Sequence, residues 1–360
     1  MHYFLLSSKD ATIYQDQVYQ NTGLDQIIEI QKDAMIFQSA SIDVSGSIVS
    51  RGMIKFDIND VSESIVRGEM TASQVFLNMF IYEAIEIPIS YSLFVHPISQ
   101  SWDMGSGFRG ALPITTNGCS WRNRTELVQW VSGSNSGDGG NYFTGLTGSL
   151  SLDASQSFEF STTDMRIDIT DIFHAWCSGI IPNEGVILKL SDDDELNDTS
   201  VGRLAFFSNE THTVFRPRLE IVWDEQVYNT GSLDALVGED LVLSIKNLKD
   251  NYRQDTKNRF RIFAREKFPQ KTFATGSWKY TRDIKYLPSS SFYSIKDAYT
   301  EDEIVPFGET SKLSQDVSGS YFDLMLNGYE PERWYRILFK IKNDGFDTIY
   351  DNDLVFKVSR

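Results

Sequence analysis

The sequence predicts an all-β chain of two sandwiches, the first closed by a short helical lid and the second of immunoglobulin-like type. Three observations carry that reading. Short stretches alternate at the period of a half-buried strand, as where Met165, Ile167 and Ile169 face away from Arg166, Asp168 and Thr170. Rings are abundant and proline is scarce, with 24 Phe and 16 Tyr against 9 Pro; rings fill pleated surfaces, whereas proline cannot donate to a central ladder. Charge is also unevenly placed. Residues 1–224 hold 13 Lys+Arg against 29 Asp+Glu, a net of −16, while residues 225–360 hold 20 against 21, a net of −1. Two electrostatically different parts in 360 residues read as two domains, 1–224 and 225–360.

In chain order, the opening Met1 to Lys9 lacks the basic start of a leader and reads as the first strand. Ile27–Ile30 and Met53–Ile58 are the clearest early strands, broken by turn residues at Asn21-Thr-Gly23 and Ser45-Gly-Ser47. Asp60 to Gly68 reads as a helical connector with Val61 and Ile65 four apart. Residues 75–96 read as a strand pair about Glu86–Ser90, where Pro88 marks a turn or an edge. Residues 99–150 then become rich in Gly, Ser and Asn, a long loop-rich insertion of the kind kept for binding or for packing on a neighbour. Ser132 to Gly140 is its most flexible stretch, expected to order in an assembly.

After strands at Phe158–Phe160 and Met165–Thr170, the period changes. Ile172, Phe173 and Trp176 fall on one helical turn that Thr170 can cap and that Gly179 and Pro182 stop. Val186–Leu190 restarts as strand, so Trp176 is expected to plug one end of the sandwich. Leu204–Phe207 and Arg218–Val222 close the domain. In the second part, 241–245, 259–264, 291–295, 321–326, 334–342 and 354–358 are six strand candidates at the spacing of a second sandwich. It lacks the immunoglobulin Cys-Trp-Cys pattern, since no cysteine follows Cys177.

Several of these segments carry a family resemblance. The run Ile167-Asp-Ile-Thr170 to Ala175-Trp176, then Asn183-Glu-Gly185 and the closing Arg216-Pro-Arg-Leu-Glu-Ile-Val-Trp223, resembles the DNRLRE-type β-sandwich family, jelly-roll modules related to some carbohydrate-binding domains. Upstream matches are Asp10-Ala-Thr-Ile-Tyr14, Asn21-Thr-Gly-Leu-Asp25, Met53-Ile-Lys-Phe-Asp57, Trp102-Asp-Met-Gly105 and Ser120-Trp121. Together they cover about the first 225 residues, in an order similar to virion structural proteins of large marine tailed phages. The resemblance implies a jelly roll for residues 1–224 and a virion setting, assembled in the host cytoplasm, with other virion proteins and copies of the chain as partners. A fold does not fix a function.

Candidate sites are weighed in pairs. Asp192, Asp194 and Asp198 concentrate oxygen donors for a structural calcium ion, beside Asp193 and Glu195, but the spaced ligand loop of a calcium hand is missing and a solvated acidic loop is the competing reading. Trp102, Trp121, Trp130, Tyr142 and Phe143 could offer ring faces to a host surface glycan, or pack the loops down. Lys257, Arg259, Arg261, Arg265 and Lys267 share one face of a strand and form either a docking face for an acidic protein surface or an ordinary solvated face.

No hydrolase, zinc-protease or phosphate-loop motif is present, and His2, His96, His174 and His212 are scattered, with His174 read as a structural hydrogen-bonder. No catalytic residue and no other cofactor is assigned. Cys119 and Cys177 are too few for a disulfide framework or a four-ligand zinc site, and are expected as free thiols, with Cys177 buried. An acidic first domain repels phosphates, so no nucleic-acid partner is expected. No apolar run reaches the 18 residues that would suggest a membrane span. The expectation is a structural virion protein, of neck, tail or capsid surface, with glycan-binding adhesion as the alternative.

Overall fold

A computed structural model of the chain describes residues 1–39, 42–131, 138–159, 163–197, 200–236, 241–268, 285–343 and 346–360. The fold is all-β. It divides into two compact units, one of Leu5–Glu220 and one of Met1–Phe4 together with Ile221–Arg360.

The strands through the first unit are β1 (His2–Leu6), β2 (Lys9–Tyr14), β3 (Ile27–Ser39), β4 (Ile42–Lys55), β5 (Gln74–Met79), β6 (Ile81–Ile85), β7 (Ser90–Pro97), β8 (Leu146–Thr147), β9 (Leu150–Ser151), β10 (Ala154–Glu159), β11 (Met165–Asp168), β12 (Val186–Leu190), β13 (Gly202–Phe207) and β14 (Arg218–Val222). Three helices accompany them: α1 (Asn59–Val66), α2 (Thr170–Cys177) and α3 (Asp192–Leu196). One sheet runs β1-β14-β5-β11, and a larger one runs β10-β7-β12-β4-β3-β13-β6 with β2 added on β4. The unit boundary falls within β1 and β14.

β2 and β3 lie on opposite edges of β4, and β12 follows β3 along the second edge, opposite Gly52–Ile54. β2 lies opposite Ser50–Lys55 and β3 opposite Ile42–Ser50, after which β3 turns away to pair with β13. That divergence carries Ile28 over Gly52, where its Cγ2 lies 2.5 Å from where a Cβ would stand. Glycine there permits the crossing.

β11 alternates as its sequence predicts, with Met165 and Ile167 buried and Arg166 and Asp168 exposed. β12 differs. All five of its residues are buried, including Lys189, because the sheet is covered on both faces. The expected strand pair at 75–96 is also corrected: β7 pairs with β10 and β12, while β6 pairs with β13 at the far end of the same sheet. Glu86, at φ 54°, takes the left-handed turn between them.

α2 forms where its period predicts, with Ile172, Phe173, Ala175 and Trp176 buried. Thr170 is its first residue rather than its cap. The Thr170 backbone N–H donates to Asp168 Oδ1 at 2.9 Å, and its hydroxyl accepts the Val75 N–H at 2.9 Å, which ties the helix to β5. Gly179, at φ 68°, ends it by giving its N–H to Trp176 O, as a left-handed C-terminal residue does. His174 Nε2 lies 2.9 Å from Ala72 O.

The second unit contains β15 (Leu241–Lys246), β16 (Asn251–Arg253), β17 (Lys257–Glu266), β18 (Ser291–Asp297), β19 (Glu303–Val305), β20 (Ser314–Asp316), β21 (Gly319–Met325), β22 (Trp334–Asn343) and β23 (Phe346–Ser359). Two sheets, β15-β17-β21-β20 and β16-β23-β22-β18-β19, enclose a shared core. The six strand candidates fall on β15, β17, β18, β21, β22 and β23; the short strands β16, β19 and β20 carry too few residues to show a period. Phe322 stacks on both Tyr293, at 4.3 Å between centroids, and Phe260, at 5.1 Å. Phe4 belongs to the same core.

Candidate functional site

From Ile98 to Gly145, the described residues form no strand of their own and lie as a covering layer on one face of the larger sheet. Ala11, Ile13, Val49, Met53 and Ile187 supply the apolar floor, and Ile98, Trp102, Cys119, Trp121 and Trp130 complete the cluster from above. Burying a large ring of this kind contributes on the order of 2–3 kcal/mol, so three indoles amount to a strong anchor for a segment that builds no ladder.

The layer is held down by polar groups at defined points. Trp102 Nε1 donates to Glu184 O at 2.8 Å, and Trp130 Nε1 donates to Ser120 O at 3.0 Å. Lys9 lies 4.2 Å over the Trp102 ring and gives its ammonium to the Trp102 carbonyl. Asn21, wholly buried, binds three separate points of the loop. Its Nδ2 donates to Met104 O at 2.7 Å and to Cys119 O at 2.9 Å, and its Oδ1 accepts the Gly107 N–H at 2.8 Å. Gly105, at φ 77°, approaches so closely that a Cβ would stand 2.3 Å from Asn21 Oδ1. The two sequence motifs that begin at Asn21 and Trp102 therefore meet in space.

Arg51 holds the other end. It donates to Gly139 O at 2.7 Å and to both oxygens of Glu195 at 3.2 and 2.5 Å, with its guanidinium 5.1 Å from the Trp121 ring centre. Glu195 in turn lies 3.4 Å from Lys189 Nζ, and its carbonyl accepts from Lys32 Nζ at 2.5 Å. Two lysines, each only 1% exposed, are thus satisfied by one short helix. Sequence reading met Asn21 as a turn residue and the start of a motif but singled out none of Arg51, Lys32 and Lys189, because nothing local separates a buried charge from a solvated one.

A second charged node sits on β3. Glu29 accepts from Tyr14 at 2.5 Å, from Arg109 at 2.5 Å and from Arg203 at 2.9 Å, and Arg109 lies 4.0 Å over the Tyr14 ring. Arg109 also gives its backbone N–H to Asp25. Burial is the main force on the acids nearby. It pushes the Asp25 carboxyl up to about 6 and the Asp10 carboxyl up to about 7, each against a backbone N–H that pulls it down.

The placements of Trp102, Trp121 and Trp130 and of Asp192 and Asp194 depart from the sites expected for them. Trp102, Trp121 and Trp130 are 1%, 6% and 5% exposed, so their faces are spent on the sheet and cannot stack on a sugar. Tyr142 and Phe143 are half-buried. Tyr142 stacks on His96 at 5.0 Å, and Phe143 gives its N–H to Pro97 O. Asp192 and Asp194 do not converge on a cation site. Asp192 lies 2.6 Å from Lys189 Nζ, whose hydrogen bond holds its carboxyl below the usual range, and Asp194 accepts from the Ser191 hydroxyl at 2.7 Å. Asp198 lies outside the described residues, among which no group of three metal-ligating side chains occurs.

The basic face keeps its geometry but not its free charge. Lys257, Arg259, Arg261 and Arg265 alternate outward along β17 while Phe260, Ile262 and Ala264 point into the core. Arg259 donates to both oxygens of Asp323 at 2.7 and 2.8 Å, Arg261 to both of Asp316 at 2.9 and 2.8 Å, and Lys257 reaches Glu225 at 3.3 Å. Arg265 donates to Glu266 O, and Lys267 lies over the Phe268 ring. The acids come from β20, β21 and the chain before β15, so a one-strand reading saw only the cations. Of the two cysteines, Cys119 is the fully buried one and Cys177 is half-buried; both are free.

Beside exposed polar residues, the layer holds several large apolar side chains out to solvent. Phe108, Leu112 and Ile114 are 47%, 88% and 53% exposed on one turn, and Leu127 and Val131 are 87% and 61% exposed on another.

No family model and no curated protein matches the chain. Among solved structures, it is similar at a TM-score of 0.17 and 8% identity to the apo structure of Bacteroides uniformis beta-glucuronidase 3, over 98% of this chain and 35% of that one. The chain thus spans about a third of that protein's length, and a likeness so low carries no argument.

Proposed function

We propose that the chain is a structural component of a tailed-phage virion, an accessory protein of neck, tail or capsid surface that acts through protein–protein contacts in several copies. The observation that carries the reading is the covering layer. Three buried tryptophans fix a long loop-rich segment, and the turns so fixed hold Leu112, Ile114 and Leu127 out to solvent. Large apolar side chains on exposed turns mark interaction surfaces, and turns that are already ordered lose little entropy on association. The order of motifs in residues 1–224 supplies the setting, and many weak contacts repeated around a particle supply avidity. The acidic first unit suits a solvent-facing position, with attachment through the second.

The test is to purify particles, identify the protein in them by mass, and label them with gold-bound antibody against residues 1–224 for electron microscopy. Label in a fixed ring or lattice is expected. Particles lacking the protein would defeat the reading. As a companion, Leu112→Asp and Leu127→Asp are expected to abolish incorporation or self-association at unchanged melting temperature.

A further inference from the structure

The second unit has a half-open cavity of about 190 Å³, walled by β17, β18 and β21 and by residues 224–227 and 310–314. Three basic side chains, Lys257, Arg259 and Lys312, and the Met1 α-amino group line it, against three carboxylates, Asp224, Glu225 and Asp323. Each of the three side chains already has a carboxylate partner, and the Met1 α-amino group, lowered to about 6 chiefly by burial, gives its hydrogens to Trp223 O and Thr310 O. Arg259 is bidentate on Asp323, Lys257 lies 3.3 Å from Glu225 and 3.8 Å from Asp323, and Lys312 pairs with Glu309.

At the floor stands Tyr293, 2% exposed and stacked on Phe322. Its hydroxyl has no hydrogen-bond partner among the described residues. Burial foremost, then the charges of Glu225 and Asp323, push the phenol well above its usual range, so it stays a donor at every physiological pH. The hydroxyl reaches the half-open cavity, where water or a ligand answers such a group.

We infer that this cavity binds a neutral, hydroxyl-rich small molecule of the size of one sugar ring. An anion finds no unmatched side-chain cation here and would have to break an ion pair to gain one, and a cation finds only Asp224, which is exposed to water. A vicinal diol needs no net charge. Its hydroxyls donate into the spare lone pairs of Glu225 and Asp323 and accept from the Tyr293 hydroxyl and the Lys257 ammonium, bonds strengthened by the ionised partner. The Tyr321 ring, held by Arg259 at 4.1 Å, supplies the apolar wall that a ring's C–H face requires. The site is distinct from the buried indoles of the first unit, and it goes beyond the assembly reading without depending on it.

The test uses the full chain, titrated by calorimetry and by protein-observed NMR with glucose, galactose, mannose and N-acetylglucosamine. Phosphate and putrescine serve as ionic probes. Saturable binding of at least one sugar is expected, weakened about three- to tenfold in Tyr293→Phe, the value of one hydrogen bond. Glu225→Ala, at the exposed rim, is expected to weaken it similarly and keeps the test open if the buried tyrosine variant does not fold. The inference is overturned if no sugar saturates, if folded variants bind sugar as the parent does, or if phosphate or putrescine binds more tightly than every sugar.

Discussion

Asp10 is 1% exposed and takes a single backbone N–H, from Asn209 at 2.6 Å. Its carboxyl, near 3.8 when solvated, is raised to about 7 by burial, and that of Asp25 to about 6. The folded unit therefore holds these protons more tightly than the unfolded chain does. The stability they contribute is fully present below about pH 4 and is lost as pH rises through 6 and 7. The first unit is expected to melt higher at pH 5 than at pH 8, the reverse of a salt-bridged carboxylate, and Asp10→Asn should flatten that slope. Thermal melts of parent and variant across this range check it; equal slopes would refute the assignment. Gly52 is the second informative residue, because Ile28 occupies the space of its missing side chain. Gly52→Ala is expected to cost about 1–3 kcal/mol by overpacking, read as a lower urea midpoint. Neither effect was legible beforehand. Asp10 is one of 29 acids in residues 1–224, and only the divergence of β3 from β4 singles out Gly52 among the glycines.

At the scale of elements, the alternating strands and the helical turn of α2 were legible because each declares its own period. The layer over the sheet was not. Trp102, Trp121 and Trp130 have the same residue type whether they face a sugar or a core, and what decides between the two is the surface beneath them. That surface did leave a trace: Val186-Ile-Leu-Lys-Leu190 does not alternate, as a strand covered on both faces need not. The acidic run at 192–195 misled for a similar reason, since its carboxylates answer lysines that are remote in sequence or hidden in a strand. Glu195 is the critical one, because both Arg51 and Lys189 lean on it. Glu195→Gln leaves two buried cations undercompensated and is expected to destabilise the first unit by about 3–5 kcal/mol. Hydrogen exchange should then quicken at Gly139 and its neighbours, whose carbonyl Arg51 holds. Undisturbed exchange there would show that the tryptophans alone suffice to hold the layer.

For the whole molecule, the abrupt change in charge near residue 224 announced two bodies, and hydrophobic content of 41% left material for a core in each. Charge does not report which core a given strand end enters. Met1 to Lys9 reads as one strand of the first domain, yet Met1–Phe4 count with the second unit, and Phe4 is 2% exposed within its core. Phe4 meets Tyr329 edge-on at 5.9 Å, and Gly328, at φ 71°, approaches its Cβ so closely that a side chain there would clash. A contact across more than 300 residues of chain has no local signature, since Tyr3-Phe4-Leu5-Leu6 offers apolar groups to both faces. Phe4→Ala empties a packed ring site and is expected to cost the second unit about 3–5 kcal/mol. Hydrogen exchange by mass spectrometry separates the outcomes. Amides of β17 and β22 should lose protection while those of β4 and β12 keep theirs, because the cavity opens in one core only. Equal loss in both units would mean that the two cores unfold as one cooperative body.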